Sequence, residues 1–226
     1  MRLLKHKWIK EDIVLDKRTV NVLVLENHGF YRNFVMALAK QIEEGEDFLV
    51  FSQDLKGLDI SKCAAILTDL FDIPIDEKKA STLIHKDLSK KMTGDMAASF
   101  QRLNSAMASF VDELVYDYPI PLTYSGEVEL PALLKTIDVK PEMHSTDFLE
   151  ALVTRIKTLA NLMGRDLFFL LNLHDVLDKG ELEKFYNEMR QLQVDIVAVD
   201  AREPVGEKDG HEKTIIIDRD LCEILK

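Results

Sequence analysis

The sequence predicts an α/β fold interrupted by a long helical segment, on three observations. Residues 19–38 read TVNVLVLENHGFYRNFVMAL, a strand, a turn and a helix in the order used by nucleotide-binding domains. The same alternation of apolar strand, helix and strand returns after residue 165. Between about Asp76 and Gly164 the pattern becomes purely helical, broken at Tyr118-Pro119-Ile120-Pro121. Strands that alternate with helices imply a mostly parallel sheet with right-handed crossovers.

The elements follow in order. Trp8 to Leu15 is predicted to be a short antiparallel edge. Val22, Leu23, Val24 and Leu25 form a continuous apolar run, as expected of a central strand buried on both faces. Phe30, Phe34, Val35, Leu38 and Ile42 recur at helical spacing, so a helix runs from Phe30 to Glu44 and ends at Gly45. Phe48–Phe51 and Ala64–Leu67 are further strands. Leu167–Leu171 is an apolar run of strand type. Asp178 with Glu181 three residues later forms a capping-box pattern, and the helix it starts runs to about Gln191, burying Leu182, Phe185, Tyr186 and Met189. Val194–Val199 and Thr214–Ile217 complete the strands. Residues 1–75 and 165–226 thus form a head and 76–164 an inserted helical leg.

Within the leg, Met96, Phe100, Leu103, Met107, Phe110 and Leu114 are spaced 4, 3, 4, 3 and 4. Leu149, Leu152, Ile156, Leu159 and Met163 are spaced 3, 4, 3 and 4. Both are heptad seams. They fit either an antiparallel arm or an amphipathic pair lying on the sheet, and the strict 3.5 period favours the arm.

At 226 residues and 46% apolar, the chain can form one domain, or one domain with a large insertion. The formal net charge of -11 disfavours nucleic acid and membrane surfaces unless the cations gather on one face. Cys63 and Cys222 lack metal or disulfide spacing, no apolar run reaches membrane length and the first residues lack a signal-peptide core, so a cytoplasmic location is expected.

The turn Glu26-Asn27-His28-Gly29 stands where a phosphate loop would read GxxxxGK[ST]. It holds one glycine, no lysine and an acid that repels phosphate, which argues against an ATPase. Asn172, His174 and Asp175 follow a strand, where ligands of parallel sheets bind, although Asn172 and Asp175 equally suit a turn cap. Asp200 and Arg202 end the next strand and read as an ion pair or a turn. The six histidines show no ligand spacing, neither Ser52 nor Cys63 carries a nucleophile signature, and Glu127 with Glu129 reads as a solvated turn. An enzyme reading remains open: a divergent metal-dependent phosphotransferase or nuclease using Glu26, Asp175 or Asp200. Basic residues gather at Lys86, Lys90 and Lys91, at Arg102, at Lys135 and Lys140, and at Arg155 and Lys157. They form either a solvated face or, in an oligomer that turns them to one cavity, a phosphate-binding surface.

Four stretches carry a family resemblance: VNVLVLEN with its aromatic-rich helix, ILTDLFDI before STLIHKDLSKK, FLLNLHDVLDKGELEKF, and VDIVAVDAREP leading to IIIDRDLCEIL. In their order and spacing the chain resembles the small CRISPR-associated spacer-acquisition proteins of type II-A systems, which serve antiviral defence. The resemblance implies a P-loop-kinase-like head with a degenerate nucleotide site, an inserted α-helical leg and a homotetrameric ring. It further implies sequence-independent binding of double-stranded DNA ends in the ring's channel through lysines, no catalytic residues, and partnership with the other CRISPR adaptation proteins and the type II effector nuclease. Family members often bind calcium between the leg helices. Here that region reads VYDYPIPLTYSGEVEL, leaving Glu113, Asp117 and Glu127 as candidate ligands, and apolar packing through Tyr118, Ile120 and Leu122 is the expected substitute.

Overall fold

The computed structural model describes residues 1–143, 145–204 and 210–226. In chain order the elements are β1 (Arg2–His6), β2 (Ile9–Leu15), β3 (Val20–Leu25), α1 (His28–Glu44), β4 (Val50–Gln53), β5 (Lys56–Gly57), β6 (Ala64–Leu67), α2 (Glu77–Lys91), α3 (Asp95–Val115), α4 (Leu130–Thr136), α5 (Phe148–Met163), β7 (Leu167–Leu171), α6 (Leu173–Val176), α7 (Lys179–Leu192), β8 (Asp195–Asp200), β9 (Glu212–Ile217) and β10 (Glu223–Leu225). They form two compact units, one of Met1–Ile75 with Met143–Lys226 and one of Asp76–Glu142.

The larger unit is built on a six-stranded sheet ordered β10-β9-β3-β8-β7-β6, parallel except for β10. Its strands are apolar at every second and every first position because both faces are covered. Val22, Val24, Phe168, Leu170, Ile196 and Ala198 enter one core, and Leu23, Leu25, Phe169, Leu171, Val197 and Val199 the other. A period of two divides one apolar run between two cores. α5 and α7 cover the first face through Leu152, Ile156, Phe185 and Met189. α1 covers the second, burying Phe34, Leu38 and Ile42.

The second core also holds Leu4, Ile13 and Phe51 from a separate four-stranded antiparallel sheet, ordered β2-β1-β4-β5. The predicted edge at Trp8 to Leu15 and the predicted strand Phe48–Phe51 therefore belong to a second sheet, whose order only long-range pairing reveals. Helix ends follow their cap residues. Asn27 accepts the Phe30 N–H at 3.0 Å to start α1, and Gly45, at φ 78°, closes it by donating its N–H to Gln41. Asp178 and Glu181 form the reciprocal capping box of α7.

The second seam needs correction. α5 buries Leu152, Val153, Ile156 and Leu159 in the core of the larger unit, so the insertion ends near residue 142 rather than 164. α3 is the opposite case. It forms over the predicted residues, yet none of its 21 residues is buried.

Within the smaller unit, the segment after α3 turns back along that helix through hydrogen bonds. The Tyr124 hydroxyl donates to Asp112 at 2.7 Å, and Asn104 exchanges two bonds with the backbone of Val128 at 3.1 and 3.2 Å. The expected apolar packing does not form: Tyr118, Ile120 and Leu122 are all exposed. Two prolines keep this segment extended and leave its apolar groups facing water.

Candidate functional site

β3, β8 and β7 lie side by side and parallel, so Leu25, Asp200 and Leu171 end on one edge of the sheet. Ligands of open α/β sheets bind outside such an edge. In this protein the groups there are engaged with one another. Asn27 spends its side chain on the chain itself, capping Phe30 with its oxygen and donating from its nitrogen to the Arg219 carbonyl at 3.0 Å. The Glu26 N–H goes to the Ile217 carbonyl at 2.9 Å. These are the backbone and cap groups that a phosphate loop would present to a ligand.

Behind this edge lies a buried charged cluster. His174 Nδ1 is 2.6 Å from Asp200 Oδ2, and its Nε2 is 3.3 Å from Glu212 Oε1 and 3.1 Å from the Tyr186 hydroxyl. That hydroxyl donates to Glu212 at 2.8 Å. Burial opposes a charged ring, but the hydrogen bonds and charges of Asp200 and Glu212 outweigh it and push the His174 pKa up to about 9. The ring is therefore an imidazolium at neutral pH, donating from both nitrogens. Asp200 Oδ1 is buried without a hydrogen-bond partner. Nearby, Tyr31 of α1 donates to Asn172 Oδ1 at 3.3 Å, and burial together with the charges of Asp200 and Asp175 raises its pKa.

This arrangement decides the strand-end readings one by one. Asn172 adopts a left-handed conformation, φ 53°, before the short α6, but its side chain makes no cap bond and turns to Tyr31 instead. Arg202 forms its ion pair with Asp175 at 2.7 Å, not with Asp200. Asp200 is held by His174, which no local pattern singled out. An acid neutralised by a resident imidazolium is a poor ligand for a catalytic cation.

The basic residues fall into distinct settings. Lys86, Lys90 and Lys91 occupy the C-terminal half of α2, all exposed, with Lys91 paired to Asp87 at 2.7 Å. Arg102 is exposed on α3 and bonds Ser99 one turn away. Lys135 and Lys140 line a groove of about 500 Å³ with Lys78, Ser81, Thr82 and the ring of His85, and Lys140 pairs with Asp138. Arg155 and Lys157 belong to the larger unit on α5. Arg155 donates to the Phe71 carbonyl and Lys157 pairs with Glu188 at 2.7 Å. The structure thus brings Lys135 and Lys140 together with Lys78, a residue the sequence pattern did not single out. Lys86, Lys90 and Lys135 are in no ion pair among the described residues.

Glu113, Asp117 and Glu127 are exposed and do not assemble into a ligand set. Among the described residues no group of three or more His, Cys, Asp or Glu side chains could hold a metal ion. The residues present therefore do not fit the calcium site that the resemblance implies. His144, one of the six histidines given no metal role, lies outside the described residues.

The family model of the CRISPR-associated protein (Cas_Csn2) matches residues 41–221. The chain belongs to this family. The Cas_Csn2 match takes in the whole smaller unit and every strand from β4 to β9. No curated protein matches the chain. Among solved structures it is similar to a putative ABC transporter (ATP-binding protein) from Pyrococcus furiosus, at 9% identity over 95% of this chain and 97% of that one, with a TM-score of 0.42. A bacterial Atm1-family ABC exporter with ATP bound is similar at 9% identity over 92% of this chain and 33% of that one, with a TM-score of 0.40. At these scores neither likeness enters the functional reading of the Cas_Csn2 chain. No helix among the described residues is long and apolar enough to cross a membrane.

Proposed function

We propose that this CRISPR-associated chain is a non-enzymatic, sequence-independent binder of double-stranded DNA ends in spacer acquisition. Four copies close into a ring, DNA occupies its channel, and the other adaptation proteins and the effector nuclease are its partners. The head serves as a P-loop-like scaffold with no working nucleotide site. Its strand-end edge supports this, since Asn27, Glu26 and Asp200 are all engaged by the chain's own groups.

The observation that carries the reading is the bare seam of α3. Met96, Leu103, Phe110 and Leu114 are 68%, 43%, 64% and 68% exposed along one 21-residue helix. An apolar stripe of that length is stable in water when another surface covers it, and heptad spacing suits a second helix. Assembly also resolves the charge problem. One acidic chain has few free cations, but several copies that turn Lys86, Lys90 and Lys135 toward one space concentrate them. Phosphate binding then releases counterions and ignores base sequence.

Two predictions test the parts separately. Phe110→Glu is expected to shift the solution mass from about four chains toward one, by light scattering, with the circular-dichroism spectrum retained. A wild-type mass equal to one chain would remove the ring. Lys90→Glu and Lys135→Glu are each expected to weaken binding of linear duplex several-fold and to flatten its salt dependence by about one unit of log–log slope. Gel shifts over a salt series, run beside closed circles, supply both comparisons. Equal affinity for circles and linear duplex would sink the channel. ATP affinity that disappears in Asp175→Asn would support a phosphotransferase instead.

A further inference from the structure

Trp8 is the chain's one tryptophan, and it stands 57% exposed at the turn between β1 and β2. Its ring meets the ammonium of Lys7, 5.6 Å from the ring centroid. An indole placed there adds little to the folded core, since most of its surface stays in water. The turn beneath it is nonetheless held in place. The Trp8 N–H donates to His6 Nδ1 at 3.3 Å, and the His6 ring is buried against Phe34 and Phe48, at centroid distances of 5.5 and 4.6 Å. A register irregularity between Leu4 and His6 sets this side chain inward while Trp8 remains outside.

The charges around the ring point to one kind of occupant. Lys7 and Lys10 flank Trp8, both exposed and in no ion pair among the described residues. The nearby acids are engaged: Asp12 pairs with Lys5 at 2.6 Å, and the Glu223 carboxylate accepts the backbone N–H groups of Lys10 and Glu11. A fixed aromatic face beside free ammonium groups suits a ligand with a flat π-system and a phosphate attached. Stacking of this kind tolerates every base. Paired bases inside a duplex hide their faces, so only an unpaired nucleotide at an end or overhang can use the ring.

We infer that Trp8, with Lys7 and Lys10, is a stacking platform for an unpaired nucleotide at a DNA end. The inference rests on the DNA-end-binding reading above and adds the single-stranded portion of the ligand to it. Two measurements test it on the full chain. Addition of a duplex with a dT10 overhang is expected to quench the fluorescence of Trp8, and the blunt duplex of the same sequence to quench it much less. In anisotropy titrations Trp8→Ala is expected to weaken overhang binding roughly ten-fold while leaving blunt-duplex affinity unchanged, and Trp8→Phe to restore part of the loss. Equal quenching by both duplexes, or an overhang affinity that Trp8→Ala leaves intact, overturns the platform while DNA binding stands. Failure of every duplex to bind overturns the DNA reading itself, and the platform with it.

Discussion

Arg2→Met is expected to lower the unfolding free energy by about 3–5 kcal/mol, the usual effect of removing one partner from a buried ion pair. The Arg2 guanidinium donates to Asp195 at 2.7 Å and to Asp166 at 2.9 Å, with its side chain 12% exposed and that of Asp195 2% exposed. These acids stand at the starts of β8 and β7, while Arg2 opens β1, so one side chain ties the antiparallel sheet to the parallel one. Burial already pushes the Asp195 carboxyl up, and the charge of Arg2 with the Lys17 N–H works against it. Without Arg2, Asp195 has to take up a proton or remain an unpaired buried charge. Adding Asp195→Asn to Arg2→Met removes that charge and is expected to recover part of the loss. Urea denaturation of the wild type and both variants checks this. A single variant within about 0.5 kcal/mol of wild type would show that the pair adds nothing beyond its desolvation cost.

The parts legible in the sequence were those encoded locally. α1 and α7 begin and end at residues whose side chains or backbone conformations make the caps, Asn27, Gly45 and Asp178. The parallel strands were legible as apolar runs because both faces are buried. The two seams show where local pattern stops. They share one spacing, yet α5 is core and α3 is bare. The distinguishing signal lay beside the seam: Val153 and Ala160 widen the α5 stripe, as a helix on a broad core requires, whereas serines and alanines flank that of α3. The charged cluster had no such signal. His174, Tyr186, Asp200 and Glu212 come from four separate elements, and only the packing of α6 and α7 against β8 and β9 brings them within hydrogen-bond reach. A lone histidine after a strand does not announce its partners.

Two buried histidines are expected to bend the stability of the larger unit in opposite directions on either side of about pH 6.5, the ordinary imidazole value. Burial among aromatic rings, reinforced by the charge of Lys7, lowers the His6 pKa to about 4, so the folded protein holds this ring neutral. Between pH 6.5 and about 4 the unfolded chain takes up the proton and the folded one does not. The contribution of His6 is present above 6.5 and is lost as pH falls, by about 3 kcal/mol. His174 behaves in the reverse sense. Its pKa of about 9 places the charged form in the fold, so its contribution is complete below 6.5 and fades as pH rises to about 9, again by about 3 kcal/mol. The variants separate the two limbs. His6→Leu should flatten the acid limb relative to wild type, because its packing change is the same at every pH. His174→Gln should remove the alkaline limb and lower stability at pH 6.5, since Asp200 and Glu212 then share a buried site without a cation. Chemical denaturation across pH 4.5–9 measures both differences. A His174→Gln curve that falls as steeply as wild type above pH 6.5 would show that the imidazolium is not what holds the ends of β8 and β9 to α6.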